Sequence, residues 1–431
     1  MSTNRLTPVD AQTFWTAAKI PNDTFLLFGF AGVPDDLDRA LAEAMARAAE
    51  CAELTVRVDD RGGLTYPAWA QCDVDPAQFV VHELGDATWS GCLAAIVGLI
   101  DDQLDARVHA WRLHVFPAVD GVPGAAGPGA VVVLQISHAL GGGGRTSVSA
   151  ALVFGRNGAM PEVIPARVGP AQLPLLGFRA ARAHRRLVAD TEAGLVPPPA
   201  PACPVLRTNA RPSGVRGLRT VVRPRAELSR PTVTVAALAG IAEALGGPLG
   251  ALGDDPATLG AELMIAKPLP RRAYNHFGTG GVGLHPQLDR SQRAERIAAD
   301  VDARRERAGH PAMRASELAF AATPAPLLRW GIGQFDPDVR LAAVTGNTVV
   351  SSVNCGAADF AFGGATVSVA AAFAGLSPMM GLTHVVVGVG DTVTIGVHAA
   401  ESALGGPDGL DAYVERLEAA LGSESSPSTT A

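Results

Sequence analysis

At 431 residues the chain exceeds the usual size of one domain, so two domains of about 200 residues each are expected. Its 48% hydrophobic and 18% charged residues describe a globular protein, and a net charge of −7 with no basic block argues against a nucleic-acid partner. The five cysteines (Cys51, Cys72, Cys92, Cys203, Cys355) contain no CxxC pair, which reads as reduced thiols and excludes a disulfide frame or a thiolate metal site.

The opening MSTNRLTPVDAQTFW lacks the apolar stretch of a secretory signal, so a cytoplasmic protein is expected. Residues 34–49 begin acidic and place Leu37, Leu41 and Met45 on one stripe, which predicts an amphipathic helix. A hairpin turning at Arg61-Gly62-Gly63 follows, then a helix over 90–104 and an alternating strand over 106–116. The loop VPGAAGPG leads into the run AVVVLQI, a buried strand.

The proline-rich passage 194–214 predicts an inter-domain linker. Beyond it, TVTVAALAGIAEAL mixes strand and helix character, 261–269 reads as a strand, and 289–309 as a charged surface helix. Strands are expected around Val349, Val367, Val386 and Val393, the last two joined by a turn at Gly390-Asp391. Asp408 caps a final helix carrying Leu410, Val414, Leu417 and Leu421, and Gly422 ends it. The expected division is an N-terminal domain over 1–193, a linker over 194–214, a C-terminal domain over 215–422 and a disordered polar tail over 423–431. Residues 121–144 and 360–390 lack any Asp, Glu, Lys or Arg, but glycines and proline interrupt both, so core strands are expected there and no transmembrane segment.

The stretch QISHALGGGGRTSVSAALVFG carries the chemistry. One histidine, His138, leaves a buried strand and enters four glycines. A P-loop needs GxxxxGK[ST], but Ala139 and Arg145 occupy the positions of its first glycine and its lysine. A dinucleotide site needs a second strand where this chain is broken by proline. No GxSxG elbow is present. A neutral imidazole is a suitable general base for a hydroxyl proton, and the glycines let backbone N–H groups approach developing negative charge. The alternative is a satisfied structural histidine before a flexible turn, and the local sequence leaves both open. His82, His285, His384 and His398 show no metal-ligand spacing, so no metal site is expected. His109 and His114 read as packing residues, Asp10 as a helix cap or an N-terminal anchor, and Arg145 as an exposed arginine or a phosphate contact.

Several motifs together resemble the bacterial wax ester synthase/diacylglycerol acyltransferase family, within the CoA-dependent acyltransferases that carry HHxxxDG. They are LTPVDAQTFW at 6–15, LDARVHAWRLHVFPAVDGV at 104–122, NHFGTGGVGL at 275–284, VVSSVNCG at 349–356 and the 375–400 segment, in the family's order and spacing. The resemblance implies an α/β fold of two chloramphenicol-acetyltransferase-like domains with a tunnel between them. It also implies O-acyl transfer from acyl-CoA, a co-substrate and not a bound cofactor, to diacylglycerol or a fatty alcohol, with contact to lipid droplets or the inner membrane. His138 then stands at the family's base, with Gly143 closing the motif. Ser137 replaces the first histidine and Gly142 replaces the aspartate, which in the family braces the loop through an arginine. Pro231-Thr232 replace an Asn-Asp pair. Asn275 and His276 fall at the channel, and Ser351 and Ser352 at the acyl donor. These replacements raise a rival, a lapsed member that binds lipid or a partner protein. A third reading is transfer to a specialised glycolipid or polyketide alcohol.

Overall fold

Two six-stranded sheets carry the chain, described over residues 5–422 in a computed structural model; the tail expectation for 423–431 lies outside the described residues. The first sheet runs in the order Ala361–Phe362, Ala365–Phe373, Thr24–Phe30, Gly129–Ile136, Trp111–Val119, Phe79–Val81. Its pairs are antiparallel except the last. The second runs Phe277–Gly283, Gly260–Ala266, Thr348–Asn354, Leu382–Val389, Thr392–Ala400, Arg216–Pro224. There Thr348–Asn354 lies parallel to both neighbours and the rest is antiparallel.

The strand Gly129–Ile136 is buried at every residue because both faces of its sheet are covered. Val131 and Val133 pack with Leu93, Ile96 and Ile100 of the helix Trp89–Asp101. Val132, Leu134 and Ile136 face the main core with the helices Leu37–Glu50 and Gly143–Val153. In Leu37–Glu50 the fully buried line is Ala40, Ala44 and Ala48, while Leu37, Leu41 and Met45 are half-buried beside it. The small residues allow that helix to sit close to the sheet.

One hairpin crosses between the halves of the chain. Ala361–Phe362 and Ala365–Phe373 come from the second half, yet they complete the first sheet, with Phe25 opposite Phe373. The exchange is permitted where the sheets meet: a Cβ on Gly396 of the second sheet would collide with the carbonyl of Ala372. The hairpins at 61–63 and 390–391 form as expected, pairing Val56–Asp59 with Ala68–Gln71 and Leu382–Val389 with Thr392–Ala400. The ambiguous TVTVAALAGIAEAL is the start of a helix, Val233–Ala251. Thr232 caps it by accepting the N–H of Val235, and burial of residues such as Leu238, Ile241 and Leu245 overrides the strand preference of its first turn. This helix is long and apolar enough to cross a membrane, but 61% of its most apolar window is buried in the second core. Asp408 stands before the final helix Gly409–Leu421 without making a side-chain cap.

Candidate active site

His138 opens a one-turn 3-10 helix, His138–Leu140, directly after the central strand of the first sheet. Gly141 then takes φ +123°, a conformation open to glycine, and the helix Gly143–Val153 begins with no side-chain cap. The glycines are spent on close approach. A Cβ on Gly143 would lie 2.5 Å from Val353 Cγ2, and one on Gly142 would lie 3.1 Å from the ring of Phe277. Phe277 thus occupies the space beside the position where the motif resembled above carries aspartate, and its ring meets His138 edge-on at 5.9 Å.

The imidazole is half-buried, and its Nδ1 is sealed without a hydrogen-bond partner. Burial lowers its pKa, opposed by its own carbonyl, by Asn275 and by the charge of Asp10, so the neutral ring is favoured at pH 7. Asn275 Nδ2 donates to the His138 carbonyl at 2.8 Å and to Asp10 Oδ1 at 3.1 Å. Asp10, on the helix Pro8–Thr16, also accepts the backbone N–H groups of Asn275 (2.9 Å) and Tyr274 (3.1 Å) and the hydroxyl of Thr7 (2.8 Å). It is 2% exposed, and burial pushes its pKa up against those donors. Thr7 is the cap of that helix, and Asp10 is the second of the two roles its position allows, a buried anchor tying the chain's start to its second half.

Arg145 is not the exposed or phosphate-binding arginine expected from sequence. It is 5% exposed, bonded to Glu53 at 2.8 Å and to the Pro161 carbonyl at 2.8 Å, with its guanidinium 4.0 Å over the Tyr274 ring. Glu53, in the turn that follows the helix Leu37–Glu50, supplies the carboxylate that pairs with this buried arginine. Nothing near Gly142 in sequence signals this, although a buried arginine without a motif aspartate requires some such partner.

Ser137 is buried, its hydroxyl accepting the Ala139 N–H at 3.4 Å. His276 is held within its own loop: the Arg272 N–H donates to Nδ1 and Nε2 faces the Pro268 carbonyl at 3.0 Å. Ser351 shares a strand face with Val353, which packs on Gly143, whereas Ser352 accepts a hydrogen bond from Thr234 on the opposite face. The structure thus brings His138, Gly142, Gly143 and Asn275 together and leaves Ser352 and His276 engaged elsewhere. His109 lies before its strand, paired with Asp75, and His114 is buried between His82 and Gln135. Among the described residues, no three His, Cys, Asp or Glu side chains are arranged to hold a metal ion.

No family model and no curated protein matches the chain. Solved structures do. A wax ester synthase/diacylglycerol acyltransferase from Marinobacter aquaeolei VT8 is similar over 97% of this chain and 98% of its own, at 17% identity and a TM-score of 0.60. The starter condensation domain of rhizomide synthetase, in complex with C8-CoA and Leu-SNAC, covers 97% and 93% at 13% identity and 0.58. The first condensation domain of the CDA synthetase covers 98% and 96% at 15% identity and 0.56. The chain therefore has, over nearly its full length, the two-domain α/β fold of chloramphenicol-acetyltransferase type that these acyltransferases and condensation domains share.

Proposed function

We propose that the protein is an O-acyltransferase that moves a fatty acyl group from acyl-CoA to a hydroxyl acceptor, a diacylglycerol or a fatty alcohol. The observation that carries this is His138: a half-buried imidazole, biased to its neutral form, at the end of the central strand in a fold shared with acyltransferases. Donor and acceptor reach it through a tunnel between the two halves. His138 removes the hydroxyl proton, the alkoxide attacks the thioester carbonyl, the new C–O bond replaces the C–S bond, and the imidazolium protonates the departing thiolate. The uncapped helix start at Gly143 and Gly144 presents backbone N–H groups suited to the negative charge that builds on the carbonyl oxygen. Gly142 and Gly143 shape the loop for that approach, and Ser351, on the Val353 face, is assigned to the donor side. With lipid acceptors, the proposal extends to a cytoplasmic protein peripheral to the inner membrane or lipid droplets.

The test is product analysis by mass spectrometry after incubation with palmitoyl-CoA and either hexadecanol or dioleoylglycerol. A wax ester or triacylglycerol supports the proposal, and intact substrates with both acceptors count against it. A second reading, a non-catalytic lipid- or partner-binding protein, draws on the Phe277 ring set against His138 and on Gly142 in the aspartate position. Tight binding of palmitoyl-CoA without turnover distinguishes it.

A further inference from the structure

Two buried groups from distant parts of the sequence, Asn275 and Asp10, converge behind His138, and Asn275 and the ring each keep one polar atom without a partner. His138 Nδ1 and Asn275 Oδ1 are both buried and unbonded, while Asn275 Nδ2 already holds the His138 carbonyl at 2.8 Å. The Asn275 side chain is also a hydrogen-bonding neighbour of the ring, second to the ring's own carbonyl, and the atoms left free for that contact are a ring nitrogen and an amide oxygen. If Nδ1 carries the proton, a small rotation gives a complementary donor and acceptor; if Nδ1 carries a lone pair, two acceptors confront each other in a sealed space. The amide cannot reverse to relieve the second case, because its Nδ2 is committed to the His138 carbonyl and to Asp10, and Asp10 also fixes the backbone N–H of Asn275.

We infer that Asn275, anchored by Asp10, is a positioning residue that holds His138 in the Nδ1–H tautomer and so leaves Nε2 as the basic nitrogen. The inference rests on the acyl-transfer reading for the use made of Nε2, but the tautomer is measurable without turnover. In this arrangement Asn275 and Asp10 brace the loop from the second half and the N-terminal helix. The bracing that the motif aspartate gives in the resembled family then comes from outside the loop. The sequence between 137 and 145 has no need of a polar side chain for it.

The test is nitrogen NMR of the full-length protein labelled at histidine, with the His138 signals identified by their loss in His138→Ala. The wild type is expected to show a protonated Nδ1 and a bare Nε2. Asn275→Ala is expected to shift the ring toward a mixture of tautomers and to lower kcat about 10- to 100-fold, with KM changing by less than about 3-fold. Asn275→Asp keeps an acceptor toward the ring but loses the donor to the His138 carbonyl and Asp10, so it is expected to keep the Nδ1–H tautomer only at pH values where one of the two facing carboxyls holds a proton. Asp10→Asn is expected to reproduce part of the Asn275→Ala effect.

A wild-type ring protonated on Nε2, or a tautomer unchanged in the Asn275 and Asp10 variants, overturns the inference. Should Asn275→Ala not fold, Asn275→Asp and Asp10→Asn decide on the same readout. If the tautomer depends on Asn275 but no acceptor is acylated, the positioning stands and the acyl-transfer reading falls. Turnover with the opposite tautomer has the reverse meaning.

Discussion

His384 and His138 belong to the two sheets and show two ways to bury an imidazole. His384, on Leu382–Val389, is fully enclosed and fully bonded: Thr348 Oγ1 lies 2.9 Å from Nδ1 and the Tyr413 hydroxyl 2.7 Å from Nε2. The Thr348 hydroxyl also donates to the Leu382 carbonyl, so Nδ1–H gives to Thr348 and Tyr413 gives to Nε2. Burial pushes its pKa down to about 3. His138 follows an equally buried strand, yet it keeps part of its surface open and one nitrogen unbonded. A ring with every bonding position filled is a structural part. A ring held mainly through its backbone and the group behind it is free to exchange a proton.

The largest expected effect separates these roles. His138→Ala should lower acceptor-dependent acyl transfer by about 10²- to 10⁴-fold while leaving the melting temperature nearly unchanged. His384→Ala should do the reverse, costing about 2–4 kcal/mol in urea unfolding through the cavity and the orphaned Tyr413 hydroxyl, with activity per folded molecule retained. Equal activity losses in both variants would break the comparison.

Next in size is the ion pair behind the loop. Glu53→Ala leaves Arg145 buried without its carboxylate and should destabilise by about 1–3 kcal/mol, less than a fully enclosed pair because Glu53 itself is 24% exposed in its side chain. Glu53→Gln should lose less. Denaturant titration of the three proteins is the check.

The acid response sharpens the comparison further. His384 has a folded pKa of about 3 against an ordinary value near 6.5, so between those limits the unfolded chain binds a proton that the folded chain refuses. Stability contributed by the neutral ring is full above pH 6.5 and falls as pH drops toward 3. His114 and His398, each lowered to about 4 by burial, act in the same direction, whereas Asp10 and Asp23, raised by burial, oppose it. His384→Asn should therefore lose about 2 kcal/mol less than the wild type between pH 7.5 and pH 5. For His138 the lowered pKa puts the acid limb of kcat/KM below the ordinary imidazole value. An acid limb above pH 7 would contradict the assignment.

The smallest effect concerns the missing aspartate. Gly142→Asp has to displace the Phe277 ring from 3.1 Å, so it should destabilise by about 1–2 kcal/mol and lower activity instead of raising it. Thermal melts and turnover of the variant are the check.

The sequence makes the scaffold readable where local physics decides it. The uncharged stretches around Val132 and Val386 became buried strands, and the Gly390 turn, at φ +51°, closed the expected hairpin. His138 was found because an apolar run ended in glycine. Its surroundings were not legible, because they join residues far apart in the chain: Asp10 to Asn275, Arg145 to Glu53, and Ala365–Phe373 to Thr24–Phe30. Arg145 is the clearest case. A charged residue at a helix start reads as exposed, and only the covering Tyr274 ring and the distant Glu53 make its burial tolerable.

The most direct test of the account is thiol release from palmitoyl-CoA by the purified protein, with and without hexadecanol or dioleoylglycerol, measured beside His138→Ala. The account predicts acceptor-dependent release that the variant loses. Equal release by the two proteins, or none by either with both acceptors, would contradict His138 as the base for these substrates.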